Sequence, residues 1–195
     1  MRLPNTEYTS RPWRLHEVAP DFHVEDVWEL PTPGGPDDLD RLVRSFAQGD
    51  GSGGGVVGFL IAVRRWLGAI FGWDDPSQGV GVRERSVRER LPQDLADGPR
   101  GPDSRSLPFT SVFLTHDEWV AEIANATVHG LVHLGWVPDE PSEPNVYRGQ
   151  MTVLVRPNGL GGRAYLAFIT PFRHLIVYPR MIRAIGRRWE STAPT

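Results

Sequence analysis

Cysteine and lysine are both missing from the 195-residue sequence. Without cysteine the chain has no disulfide, no thiolate nucleophile and no cysteine-ligated zinc or iron–sulfur site. Without lysine it has no Schiff-base lysine, no lysine general base and no P-loop phosphate site. All 21 basic residues are therefore arginine. These two absences exclude several large classes of enzyme before any motif is considered.

A basic surface is also missing. The formal net charge is -3 at pH 7, whereas nucleic-acid binding relies on basic residues that neutralise phosphates. We therefore expect no nucleic-acid partner. Residues 1–10 are polar and lack the apolar run of a signal peptide, which favours a cytoplasmic protein. The length suits a single domain over residues 1–195.

The most apolar segment, residues 56–73, does not have the pattern of a membrane span. A helix that crosses a bilayer needs about 20 largely uncharged residues, and Arg64 and Arg65 lie in the middle of this one. Its apolar residues follow helical spacing and predict a packed core helix; a membrane-surface helix with snorkelling arginines is the alternative. We expect no integral membrane segment.

The rest of the chain alternates between strand and helix signals. Residues 22–30 alternate apolar and polar side chains and predict a half-buried strand. Two shorter helices follow, over residues 37–46 and 56–73. A long closing helix begins at Thr170, with Pro171 in its first position. Further strands with one solvent-facing side are predicted at residues 111–115, 118–126, 128–137, 147–156 and 163–169.

This order of elements predicts a fold. Apolar residues form a stripe along the closing helix, which must therefore lie on the sheet, and Pro179 should kink or divide that helix. We predict an α+β protein with the helix-grip fold: a curved antiparallel sheet packed against a long C-terminal helix, with two shorter helices after the first strand. The polar, Gly- and Pro-rich residues 77–108 predict an extended loop or lid within the domain.

Segments at both ends of this pattern resemble a known family. They are Asp21 and Phe22 leading to Asp26, the run GRAYL at 162–166, and the run PFRHLIV at 171–177. On these residues the chain resembles the uncharacterised bacterial domain-of-unknown-function family 2867 over most of its length. That family is similar to the helix-grip (Bet v 1/START-like, SRPBCC) superfamily of ligand carriers and cyclases. The resemblance implies a cavity for a small molecule.

Two histidines and one carboxylate are the main candidates for chemistry. His129 and His133 share one face of a predicted strand, about 13 Å apart at a rise of about 3.3 Å per residue. That separation is too large for one metal ion, so we expect no metal, and nothing indicates a cofactor. The two side chains are predicted to line a pocket or to be satisfied histidines. Asp26 lies on an apolar strand face and needs a partner, for which Arg163 or Arg173 is expected.

The predicted function is the binding of a small hydrophobic or aromatic molecule in a cavity between the sheet and the C-terminal helix. One alternative is a cyclase or dehydratase type of enzyme that uses His129, His133 or Asp26 in the same cavity. Another is a protein-interaction module with a filled core, which uses residues 77–108 or the arginine face of the last helix. The predicted ligand-binding residues are Trp28, Trp119, His129, His133, Trp136, Tyr147, Tyr165, Phe168, Phe172 and Leu175.

Overall fold

The structure is a computed structural model, and it describes residues 1–48, 85–104, 109–124, 128–139, 145–159, 166–167, 170–171 and 173–192. Within these ranges the strands are β1 (Arg2–Leu3), β2 (His23–Glu29), β3 (Thr110–Leu114), β4 (Glu118–Ala124), β5 (Val128–Pro138) and β6 (Tyr147–Pro157). The α-helices are α1 (Thr6–Thr9), α2 (Leu15–Val18), α3 (Leu39–Ala47), α4 (Gln93–Ala96) and α5 (Tyr178–Ser191). A 3₁₀ turn covers Val87–Arg90, and a π-helical turn, the π turn below, covers Arg173–Val177.

The described strands form one antiparallel sheet in the order β1-β2-β6-β5-β4-β3. Strands β3 to β6 are neighbours both in the chain and in the sheet. Strand β2, which comes early in the chain, pairs with the last strand, β6. The predicted α+β class is confirmed at this level: the chain folds as a curved antiparallel sheet with a C-terminal helix.

Both faces of the sheet are covered by other parts of the chain. One face packs against α3 and α5, through a core that includes Trp136 and Trp189. The opposite face packs against α1, α2 and the segment that contains α4, through a core that includes Leu15 and Val87. A sheet covered on both sides has interior strands that are buried throughout, and β5 is buried from Val128 to the residue before Pro138.

The prediction of a sheet with one solvent-facing side is therefore wrong. It depended on four polar residues that alternate with apolar ones in β6: the half-buried Arg148 and Arg156, and between them Gln150 and Thr152. The side chains of Gln150 and Thr152 have no solvent exposure. They lie on the face that the N-terminal helices cover. The sequence pattern of a strand does not predict that another segment covers it.

Specific contacts hold the C-terminal helix against α3 and against the segment between β2 and α3. The indole N–H of Trp189 donates a hydrogen bond to the Pro33 carbonyl at 2.8 Å. The guanidinium of Arg41 lies over the Trp189 ring at 3.7 Å and donates to the Trp189 carbonyl at 2.6 Å. At Gly186 an added Cβ would meet Pro31 Cγ at 2.8 Å, so this glycine allows the helix its close approach.

The start of that helix changes from a π turn to an α-helix next to Pro179, where the sequence predicts a kink or a division. Pro179 has no N–H and cannot continue the regular hydrogen-bond ladder. The π turn ends at Val177, and the α-helix begins at Tyr178 with Pro179 in its first turn. The strand predicted for residues 163–169 is wrong where the structure describes it: Leu166 and Ala167 are helical. Both residue types favour helices, and the apolar pattern of so short a run does not distinguish the two structures.

The helix predicted over residues 37–46 is confirmed as α3, whereas the one predicted over 56–73 lies outside the described residues. Part of the predicted loop or lid over 77–108 is described. It contains the 3₁₀ turn and α4, from which Val87 and Leu95 are buried in the core. The lid itself stays a prediction.

Candidate functional site

Two predicted ligand residues, Trp119 and Trp136, are core residues with satisfied polar ends. The indole N–H of Trp119 donates to Ser111 Oγ at 3.1 Å, and that of Trp136 donates to the Gly35 carbonyl at 2.8 Å. The Trp136 ring packs 5.8 Å from the ring of Trp189 on α5. At this level, the space between the sheet and α5 is occupied by these aromatic side chains.

The two predicted histidines lie on the face that points away from α5. His129 Nε2 is 3.0 Å from Glu122 Oε2, and His133 Nε2 is 3.1 Å from Glu118 Oε2. All four side chains are fully or almost fully buried. As predicted, both histidines share one strand face, but each has its own carboxylate. In the described ranges no group of three or more histidine, aspartate and glutamate side chains is arranged to hold a metal ion.

These pairs hold the covering segments on the sheet. Glu118 also accepts a hydrogen bond from the backbone N–H of Arg14 at 2.6 Å. Glu122 accepts from the Ser86 hydroxyl and from the backbone N–H of Val87 at 3.0 Å. Burial alone would raise the pKa of Glu122, but hydrogen bonds from His129, Ser86 and Val87 outweigh it and hold that pKa below its ordinary value.

A different cluster lies where β2 meets the start of the C-terminal helix. Its centre is Asp26, whose side chain has no solvent exposure. The pairing of β2 with β6 shifts register between Val24 and Asp26, which is a β-bulge at Glu25. A bulge redirects side chains, and here two consecutive carboxylates, Glu25 and Asp26, both contact Arg173. We call the following residues the Asp26 cluster: Arg2, Glu25, Asp26, Trp28, Arg173, His174 and Tyr178.

His174 makes the shortest contact with Asp26. Its Nε2 is 2.6 Å from Asp26 Oδ1, and Nη2 of Arg2 is 3.2 Å from the same oxygen. Nη2 of Arg173 is 3.7 Å from Asp26 Oδ2 and 2.9 Å from Glu25 Oε2. Arg173 forms an ion pair with Asp26 as predicted, but through one nitrogen at 3.7 Å and not as a bidentate partner, while Arg163 lies outside the described residues.

Three aromatic rings surround this carboxylate. The Trp28 ring lies 5.1 Å from Tyr178 and 6.3 Å from His174, and the rings of His174 and Tyr178 are 5.9 Å apart. Burial raises the pKa of the Tyr178 phenol, and the charge of Asp26 adds to this against the opposing charge of Arg173. The phenol therefore stays protonated.

The π turn is what brings these side chains to Asp26. Arg173 and His174 lie at its start, and Tyr178 follows it at the first position of α5. Residues four apart in a helix lie on the same side, so His174 and Tyr178 face β2 together. Single π-helical turns are frequent at functional sites because they change the direction of a few side chains without ending the helix.

The remaining predicted residues fall in three places. Trp28 belongs to the Asp26 cluster. Leu175 follows His174 and is 78% exposed. Tyr147 is half-buried at the start of β6, where it bridges to Gly34. Outside the described residues lie Tyr165, Phe168 and Phe172.

The sequence predicts no catalytic role for His174, only that it caps or orients the helix; its local signal is the spacing of four residues from Tyr178. A family model matches residues 18–180, which include both β2 and the π turn, and it describes a protein of unknown function (DUF2867). The chain belongs to the DUF2867 family. Comparison with curated proteins finds no match, and comparison with solved structures finds none.

The match confirms the resemblance to DUF2867 that the sequence predicts. The segments that carry this resemblance include Asp26, Arg173 and His174, and the fold brings these three DUF2867 residues into contact. In this DUF2867 protein, no helix of the described ranges has the length and apolar character that crossing a bilayer requires.

Replacement of Glu122 by glutamine should lower the free energy of unfolding by about 2 kcal/mol at neutral pH, because His129 loses a buried charged partner. Since folding lowers the pKa of Glu122, this stability is present above the ordinary value of 4.5 and is lost as the pH falls below it. Urea unfolding at neutral and acidic pH should show the difference from wild type shrink on acidification. The exposed Glu190→Gln is the control; a pH-independent difference would contradict the account.

Asp26→Asn should lower the free energy of unfolding by about 2 to 4 kcal/mol, because the guanidinium groups of Arg2 and Arg173 lose the buried charge that they face. The exposed Asp37→Asn changes the net charge equally and serves as the matched control. Both variants are compared by urea unfolding at neutral pH. Equal stabilities, within about 0.5 kcal/mol, would show that Asp26 is not an organising residue.

Proposed function

We propose that this protein binds a small aromatic or hydrophobic molecule at the Asp26 cluster, between β2 and the start of the C-terminal helix. The observation that carries the proposal is a buried polar atom that the described chain does not use. Trp28 Nε1 is inaccessible to solvent and has no hydrogen-bond partner among the described residues. Its ring borders the aromatic side chains around Asp26.

The unpartnered Trp28 N–H is unfavourable for the free energy of the protein. A buried polar group without a hydrogen bond costs about 1 to 3 kcal/mol. A ligand with an acceptor for the Trp28 N–H would offset this penalty. The rings of Trp28 and Tyr178 give this atom an apolar surrounding, and the His174 side chain beside them is 23% exposed. Ligand sites generally combine apolar walls with a few polar groups.

The location is also supported by what surrounds it. Trp136 and Trp189 pack against each other between the sheet and α5. Their side chains fill space that a deep central cavity would occupy. His174 is 23% exposed and Arg173 is 13% exposed, which gives the Asp26 cluster an open side. The exposed Leu175 extends that side with an apolar surface.

We also propose that the architecture is a helix-grip fold. The pairing of β2 with β6 and the C-terminal helix across the sheet support this assignment. In such a fold the ligand lies between sheet and helix, which agrees with the position of the Asp26 cluster. Because fold alone does not determine function, the proposal depends on the cluster itself.

The test is a fluorescence titration of the full chain with 1-anilinonaphthalene-8-sulfonate, an aromatic probe with hydrogen-bond acceptors. Wild type should show saturable enhancement. Trp28→Phe removes the unpartnered N–H but keeps an aromatic ring, and should weaken binding by about three- to tenfold. Native mass spectrometry of the purified protein should in addition detect a co-purified small molecule.

Trp13→Phe is the matched control for this titration. Trp13 is also buried, its N–H also lacks a partner in the described part of the chain, and it lies against His133 on the opposite face of the sheet. Both variants make the same chemical change, so only Trp28→Phe should alter probe binding. Absence of saturable binding to wild type, or an equal effect of both variants, would overturn the proposal.

A further inference from the structure

We infer that Asp26 and His174 form a general-base dyad that removes a proton from carbon in a small aromatic or carbonyl compound, an inference that rests on the binding function proposed above. Neither the family match nor the fold assigns a reaction. The inference depends on the orientation of one imidazole, the paired charges around it and the donor beside it.

Orientation comes from the contact between the two side chains. Asp26 is fully buried and His174 is 23% exposed, so the pair is closed at the carboxylate and open at the imidazole. Asp26 as a carboxylate can only accept a hydrogen bond. His174 Nε2, which is 2.6 Å from Asp26 Oδ1, therefore donates the hydrogen bond. In the neutral ring the lone pair is then on Nδ1. A buried carboxylate in this position fixes the tautomer and stabilises the imidazolium that forms on proton uptake.

The charges around the imidazole are paired with one another. Glu25 and Asp26 carry two carboxylates, and Arg2 and Arg173 carry two guanidinium groups, at ion-pair distances of 3.2, 2.9 and 3.7 Å. An imidazole that is oriented by a carboxylate is the arrangement of a general base.

A donor for the resulting negative charge lies beside the base. The Tyr178 phenol stays protonated and interacts with Asp26, so it supports the carboxylate of the dyad. Arg173 Nε is buried and has no hydrogen-bond partner among the described residues. Preorganised donors that face developing negative charge are a major source of catalysis. The chemical class that fits is a carbon acid whose anion is delocalised onto oxygen.

5-Nitrobenzisoxazole is a probe substrate of this class. His174 Nδ1 takes the proton from C3, and the electron pair of the C–H bond forms the third carbon–nitrogen bond. The nitrogen–oxygen bond breaks, and its electron pair goes to oxygen, which gives 2-cyano-4-nitrophenolate. The imidazolium then releases its proton to water through the exposed side of His174. The step needs no oxidant, reductant or co-reactant.

The experiment measures kcat/KM for release of the coloured phenolate by the full chain, corrected for the uncatalysed reaction. His174→Ala and His174→Gln should both lower it about 100-fold. Glutamine can still donate to Asp26 but is not a base, so it separates loss of the base from loss of structure. His116→Ala is the control, because the His116 side chain is 90% exposed and lies in the β3–β4 turn. It should match wild type.

Chemical rescue decides between a catalytic and a structural role. Free imidazole should increase the rate of elimination by His174→Ala. The increase should exceed the one that the same concentration of imidazole gives with His116→Ala. Tyr178→Phe and Asp26→Asn, two positioning variants, should lower kcat less than His174→Ala does, with little change in KM. Unchanged turnover in His174→Ala, or lack of rescue, would overturn the inference.

The two proposals can fail separately. If wild type does not bind 1-anilinonaphthalene-8-sulfonate, the proposed binding function fails and the dyad loses its basis. If wild type and His174→Gln bind this probe equally, but all variants eliminate 5-nitrobenzisoxazole at the wild-type rate, the binding site stands and the dyad is wrong.

Discussion

The Asp26 carboxylate has no exposed surface, and an ion removed from water in this way costs several kcal/mol unless other groups compensate it. The compensating groups come from distant parts of the chain: Arg2 from β1, and Arg173 and His174 from the π turn. One buried charge thus connects the first strand, the bulged second strand and the C-terminal helix. The same contacts orient the imidazole, which is 23% exposed.

Buried carboxylates organise the opposite face of the sheet as well. Glu118 and Glu122 each accept hydrogen bonds from a histidine on β5 and from the backbone of a covering segment. These pairs have no open side, because the histidine and glutamate side chains are buried. The two faces therefore differ in the exposure of their histidines. The buried histidine–glutamate pairs hold segments together, whereas the partly exposed His174 has Nδ1 available for a ligand.

Local signals predicted much of the fold. The period of two predicted β3 to β6 to within three residues, and the missing N–H of Pro179 predicted where the C-terminal helix divides. Other features depend on contacts that no local pattern contains. The polar residues Gln150 and Thr152 predicted a solvent-exposed face. They are buried instead, because alternation in a strand does not show whether another segment covers it. The bulge at Glu25 arises from pairing with β6, and His174 meets Asp26 across 148 residues of sequence.

The protonation of His174 is the property on which the account depends most directly. Nitrogen-15 NMR of the full chain with labelled histidine, assigned by comparison with His174→Gln, reports the state of both ring nitrogens at neutral pH. The account predicts a neutral ring with the proton on Nε2 and a free lone pair on Nδ1, and a change in the Nε2 signal in Asp26→Asn. An imidazolium with both nitrogens protonated, or a proton on Nδ1 alone, would contradict it.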